Sequence, residues 1–203
     1  CATGTDTGGS VRLPAAYCGI TGLKVSKDYL PTDGIYPLSH SLDTPGPMAR
    51  SVADVALMLA VMRGTEGWAI DQDLTGGRGL FAGDSTGIQG LKLGILNEAE
   101  RQVCDGEMLN IYDAAVDLLA ALGAQITVFT APGRYCDMAD ANGAITIFEG
   151  YGYHQALYEA AQNPMDEDVR KRMLTGRGMT AESHARNSRQ RAAAQAQFHD
   201  AMD

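Results

Sequence analysis

The sequence predicts an α/β fold, layered α/β/α around a mixed, largely parallel sheet and truncated at both ends. Three observations carry that expectation. Residues 91–129 read as strand, helix, strand. The first 50 or so residues are dense in Gly, Pro, Ser and Thr, with short apolar groups between them, and read as short strands and ordered loops. From residue 143 onward the text is helical to its last letter. The chain begins inside a turn and stops inside a helix, which is why both ends are expected to be cut.

Taken in order, S-V-A-D-V-A-L-M-L-A-V-M-R-G (51–64) reads as a well-buried helix. Ser51 suits an N-cap with Asp54 three residues on, and Gly64 suits the position just past the end. The glycine-rich stretch 71–90 reads as a surface loop. No G-K-[ST] follows it, so a phosphate loop is not expected. L-K-L-G-I-L (91–96) is a strand, residues 105–123 an amphipathic helix with Asp105 as N-cap and Gly123 past its end, and Q-I-T-V-F (125–129) a second strand. A strand–helix–strand unit makes the two strands parallel with a right-handed crossover. The first strand lacks a following G-x-G-x-x-G, which disfavours a dinucleotide fold. The helical text after 143 is interrupted by Gly150 and Gly152. Next comes a helix with Asn163 at the N-cap, Pro164 at its first position, acids early, bases late and Gly176 at its end. A last helix starts near Thr180. The whole reads as part of a single domain, with sections 1–64, 91–129 and 143–203.

Composition narrows the function class. The 203 residues are 45% hydrophobic and 20% charged, a globular balance. A net charge of −9 argues against nucleic acid or an anionic membrane as partner, since phosphate binding needs clustered Lys and Arg. There is no apolar run long enough to span a bilayer. The four cysteines, Cys1, Cys18, Cys104 and Cys136, show no C-x-x-C spacing. Reduced, mostly buried thiols in a cytoplasmic protein are expected, with no metal and no cofactor.

The chemistry sits in T-D-T-G-G-S, residues 5–10. Consecutive small residues let the backbone curl so that several N–H groups converge, a nest suited to a developing oxyanion. A serine at its end would supply a nucleophile. On those letters alone a glycine-rich turn with a capping serine explains the stretch as well.

The longer context decides. G-T-D-T-G-G-S-V-R-L-P-A (4–15), G-I-T-G-L-K (19–24), S-L-D-T-P-G-P (41–47) and the helix containing Asp54 resemble, in order and spacing, the amidase signature family. Glu149 and His154 in E-x-x-x-x-H, and a following V-R-x-R-x-x-x-G helix, extend the resemblance over most of the chain. It implies the family's layered α/β/α fold and hydrolysis of a carboxamide C–N bond by a Ser–Ser–Lys triad. On the family motif Ser10 is the acylated nucleophile. The backbone N–H groups of Thr7, Gly8, Gly9 and Ser10 would form the oxyanion hole, and Asp6 with Arg12 would hold the loop rigid. The bridging serine and the base lysine belong upstream of Cys1, so this chain is expected to be an internal fragment, inactive by itself. Lys24 belongs to the structural G-L-K block and does not replace that base. The expected partner is a small-molecule amide, and a homodimer of the full-length protein stays open.

Two departures matter. After G-L-K the family's P-T-x-G-R is replaced by Val25-Ser26-Lys27-Asp28-Tyr29, which alters a loop. The Y-D-G stretch of tRNA amidotransferase subunits is absent where F-E-G-Y-G stands, which favours a stand-alone amidase over a subunit that releases ammonia from an amide donor. Rival readings are an N-terminal nucleophile at Cys1, a Ser–His–Asp triad drawing on His40, His154, His184 or His199, and a non-catalytic amidase-like domain.

Overall fold

The structure is a computed structural model and describes residues 1–64, 88–160, 162 and 164–202. The chain divides into two compact units, Cys1–Phe81 with Ala139–Ala193, and Ala82–Met138 with Ala194–Asp203. The glycine-rich stretch read as a loop lies outside the described residues except at 88–90, which form a turn.

In the first unit, β1 (Ala2–Thr5), β2 (Thr21–Gly22) and β3 (Pro45–Ala49) form an antiparallel sheet in the order β1-β3-β2. Ala2 pairs with Met48 and Thr5 with Pro45 on one side, and Gly22 with Met48 on the other. Between β1 and β2 lies a helix, α1 (Arg12–Cys18), where the sequence suggested only strands and loops. Its Pro14 sits in the first turn, where the missing N–H has no partner to lose. The chain can pack α1 onto the sheet because Gly22 faces it: a Cβ on Gly22 would lie 2.7 Å from Ala15 Cβ. Gly46 makes room for the chain after β2, since a Cβ there would run into the Leu23 carbonyl oxygen.

Helix α2 (Val52–Met62) starts as expected. The Ser51 hydroxyl accepts from Asp54 N at 3.1 Å and donates to Asp54 Oδ2 at 2.7 Å, and Gly64 follows the end with φ 75°. It is buried on one face only. Val55, Leu59 and Ala60 are buried, while Val52 and Val61 are exposed. Leu59 joins Val25 and Leu30, with Leu23 and Met62 against them, in a small apolar core.

The second unit holds the βαβ element. β4 (Lys92–Leu96) and β5 (Gln125–Phe129) pair in parallel, Lys92 with Gln125 through Leu96 with Phe129. So the described residues carry parallel pairing here and antiparallel pairing in the other sheet. A short helix, α3 (Glu98–Arg101), follows β4, and α4 (Gly106–Ala121) makes the crossover. Asp105 caps α4 by accepting from Glu107 N and Met108 N, and Gly123 follows with φ 98°. Tyr112 Oη on α4 accepts from Leu96 N at 2.9 Å, which ties helix to strand. Met108, Ile111 and Leu118 on α4, and Leu122 just past its end, remain exposed.

Helix α5 (Tyr135–Glu159) begins before residue 143 and passes through Gly150 and Gly152, which were expected to interrupt it. Gly150 makes room for neighbours: a Cβ there would sit 2.5 Å from Met173 Cε and 2.9 Å from Leu38 Cδ1. The backbone leaves helical geometry instead at His154 (φ −126°, ψ 23°). Ala141, Ile145, Glu149, His154 and Tyr158 recur at helical spacing and are buried. α6 (Glu167–Leu174) is capped by Asp166, so Pro164 lies ahead of the helix and not at its first position. Asn163, expected as the cap, lies outside the described residues. Gly176 falls within a 3-10 turn, Thr175–Gly178, that extends α6. α7 (Ala181–Met202) opens with a reciprocal cap, Thr180 Oγ1 accepting from Ser183 N and Ser183 Oγ from Thr180 N.

The cysteines differ from expectation in burial. Cys1, Cys18 and Cys104 are exposed and Cys136 is partly buried, all as free thiols. Among the described residues no helix is long and apolar enough to cross a membrane, and no group of three His, Cys, Asp or Glu side chains could hold a metal ion.

Candidate active site

β1 carries the chain into the T-D-T-G-G-S loop, and Asp6 N extends the ladder by donating to Thr44 O at 2.8 Å. The Asp6 side chain then turns inward. It is 1% exposed and gathers the loop around its carboxylate. Oδ1 accepts from Gly9 N at 2.7 Å, and Oδ2 from Val11 N at 3.3 Å and Arg12 N at 3.4 Å. The Arg12 guanidinium closes the arrangement as a fork, Nε on Oδ2 at 2.9 Å and Nη2 on Oδ1 at 3.0 Å. The expected supporting pair is therefore formed. Gly9 takes φ 126°, a conformation that side chains rarely adopt, which lets its N–H reach back to Asp6.

Ser10 follows directly, exposed, in the turn ahead of α1. Among the described residues its hydroxyl makes no hydrogen bond. Of the four amides expected to line an oxyanion hole, Gly9 N–H is held by Asp6 and serves the loop. Thr7, Gly8 and Ser10 are the remaining donors. Lys24 donates to Val25 O at 2.8 Å and not to Ser10. Burial lowers the Lys24 pKa, with the positive charges of Arg12 and Arg191 acting in the same direction and Asp6 opposing them.

Burial works against the Asp6 carboxylate, but the Arg12 and Gly9 hydrogen bonds and the Arg12 charge outweigh it and hold the pKa below its ordinary 3.8. The same pairing raises Arg12. A depressed folded-state pKa stabilises the fold above the unfolded value and ceases to do so as pH falls through the folded one. In the full-length protein the urea midpoint is expected to fall on acidification below about pH 4, and Asp6→Asn to be less stable at neutral pH but flatter over that window. An unchanged acid slope in Asp6→Asn would remove Asp6 from the account.

The loop is also fastened from outside. Thr7 Oγ1 donates to Asp43 Oδ1 at 2.5 Å. Asp43 Oδ2 accepts from Leu38 N and Ser39 N at 2.8 and 2.9 Å. The turn so formed is anchored to α5 by buried Glu149, which accepts from Ser39 Oγ and Ser41 Oγ at 2.5 Å each and from Ser41 N at 3.1 Å. The sequence marks Glu149, His154, Ser41 and Asp43 only as members of family blocks, with no role of their own, and does not mark Ser39. Nothing local could reveal the Glu149 bonds, which join residues about a hundred positions apart.

Three of the four histidines are engaged elsewhere. His40 Nδ1 lies 3.3 Å and His184 Nε2 3.5 Å from the Glu149 carboxylate, and His154 Nε2 is 2.5 Å from Pro37 O. None contacts Ser10 among the described residues, so the Ser–His–Asp reading gains no support. A groove of about 450 Å³ runs along β1, lined by Thr3, Thr5, Leu30, Pro31, Ile35 and Met62 among others, and includes no residue of the 6–12 loop.

β1 thus turns into a carboxylate-clamped glycine loop that ends on an exposed serine just ahead of α1. The amidase family model matches residues 1–202, and the chain belongs to that family. Among its relatives, a glutamyl-tRNA(Gln) amidotransferase subunit of Methylococcus capsulatus is 32% identical over 176 residues, covering 81% of this chain and 35% of the relative. An amidase of Pseudomonas putida is 32% identical over 194 residues, covering 94% of this chain and 41% of the relative. A crystal structure of an amidase superposes with a TM-score of 0.80 at 23% identity, over 98% of this chain and 42% of that one, and shows the shared fold. The chain thus spans about two-fifths of the length of such relatives.

Proposed function

We propose that the full-length protein cleaves a carboxamide C–N bond through an acyl-enzyme on Ser10. The observation that supports this best is the Asp6-clamped loop with, at its end, an exposed Ser10 whose hydroxyl makes no hydrogen bond among the described residues. In this reading Ser10 Oγ attacks the carbonyl carbon, and the Thr7, Gly8 and Ser10 amides stabilise the oxyanion. The C–N bond then breaks, the amine leaves with the proton given up by Ser10, and water hydrolyses the ester. The bridging serine and base lysine that relay the proton are expected upstream of Cys1, so residues 1–203 alone are expected to turn over no amide.

The relatives bear on the leaving group. Glutamyl-tRNA(Gln) amidotransferase subunits recur among them at 30–40% identity. This favours ammonia release from a primary amide over the stand-alone amidase suggested by the absent Y-D-G stretch. A partner that consumes the ammonia is part of this reading. The test is a fluorophosphonate reaction with the full-length protein, the adduct mapped by mass spectrometry, beside ammonia release from glutamine and cleavage of an anilide. The expected adduct is on Ser10. An adduct on Cys1 or elsewhere would overturn the nucleophile, and anilide turnover without ammonia release would overturn the amidotransferase-type reading.

A further inference from the structure

Glu149 is an acid on a buried face of α5, its side chain 2% exposed, and it is met by five polar groups. Two serine hydroxyls and one amide donate to it, and two imidazoles lie within 3.5 Å. His184 is committed to the same place: its ring stacks on Phe148, centroids 4.4 Å apart, and its Nδ1 is buried with no hydrogen-bond partner. A buried carboxylate surrounded this closely fixes whatever donates to it. What donates is the 38–43 turn. That turn is closed from within, Leu42 N and Asp43 N both donating to Ser39 O at 3.0 and 2.8 Å. Its one hydrogen bond to the T-D-T-G-G-S loop by a side chain is Asp43 Oδ1 with Thr7 Oγ1, three residues ahead of Ser10.

We propose that Glu149 is a positioning residue for the nucleophile loop, acting through Ser39 and Ser41 on Asp43 and through Asp43 on Thr7. The inference rests on Ser10 as the nucleophile. Asp6 and Arg12 set the loop's internal shape, whereas the Glu149 relay sets where that shape stands relative to α5. The hydroxyl of Thr7 is the coupling atom, because Thr7 also offers its amide to the oxyanion. Losing the carboxylate lets the 38–43 turn shift and carries Thr7 with it. A displacement near 1 Å at a reacting centre costs on the order of 100-fold in rate.

The experiment is a double-mutant cycle in the full-length protein with Glu149→Gln and Thr7→Val, with Thr7→Ser as the conservative variant and Ser10→Ala as control. Glu149→Gln keeps the side chain's shape but turns one acceptor oxygen into a donor. Its kcat is expected to fall roughly 10- to 100-fold, with KM within about threefold of the parent. Thr7→Val is expected to do the same, Thr7→Ser to restore the rate, and the double variant to be no slower than Thr7→Val by more than about twofold. Effects that multiply, or a Glu149→Gln enzyme with the parent's kcat, would overturn the relay. If Glu149→Gln does not fold, Ser41→Ala takes its place in the cycle with the same two outcomes. Turnover surviving in Ser10→Ala would instead defeat the nucleophile assignment, whatever Glu149 does.

Discussion

Ser10→Ala in the full-length protein is expected to lower amide turnover by on the order of 10⁴-fold or more while leaving stability within about 0.5 kcal/mol. The two halves of that expectation come from the same geometry. The hydroxyl is exposed and makes no hydrogen bond among the described residues, so removing it breaks no contact. The loop that presents it is held by Asp6 and Arg12, neither of which is hydrogen-bonded to the serine side chain. Alanine therefore leaves the Thr7, Gly8 and Ser10-position amides in place, and the residual rate measures what oxyanion stabilisation achieves without covalent attack. Ammonia release and a thermal melt on the same preparation check both halves. Turnover within tenfold of the parent would place the nucleophile elsewhere.

Gly46→Ala is expected to be the most damaging of the conservative changes, lowering stability by on the order of 3 kcal/mol. A methyl at this position would run into the Leu23 carbonyl oxygen, which is backbone and cannot swing aside. Leu23 N is bonded to Pro47 O at 3.0 Å, so the strand pair must part to admit the new group. Since Gly46 sits in β3 between β1 and β2, the strain reaches the strand that delivers Asp6. A fall in urea midpoint is the expected readout, with lost activity following from misplacement of the loop. Against a typical total of 5–15 kcal/mol, such a loss brings a domain close to unfolding. A midpoint equal to the parent's would mean the two backbones have more room than their packing indicates.

Elements whose signals are local were legible in the sequence. α2 and α4 have capping residues at their starts and glycines past their ends, and both lie where periodicity and caps put them. The parallel β4/β5 pair follows from helix length and strand spacing. Where tertiary packing overrides a local preference, the sequence misleads. Pro45 and Pro47 lack amide hydrogens, yet P-G-P-M-A is the central strand of its sheet, because Gly46 admits Leu23 and the proline carbonyls still accept. Gly150 sits mid-helix because Met173 and Leu38 need its space. α1 was hidden by a proline and a glycine-dense surround. At the site, Asp6, Ser10 and Arg12 could be read from a contiguous motif. The relay through Asp43, Ser39, Ser41 and Glu149 could not, since no pattern within a window of sequence records a bond between residues 39 and 149.

The hydrogen bonds to the Asp6 carboxylate all come from residues 9 to 12. Such a stretch behaves as a cassette. It can be inherited intact while distant segments, such as residues 25–29, change in sequence. The shape of the loop and the surface around it can therefore evolve at different rates in one polypeptide.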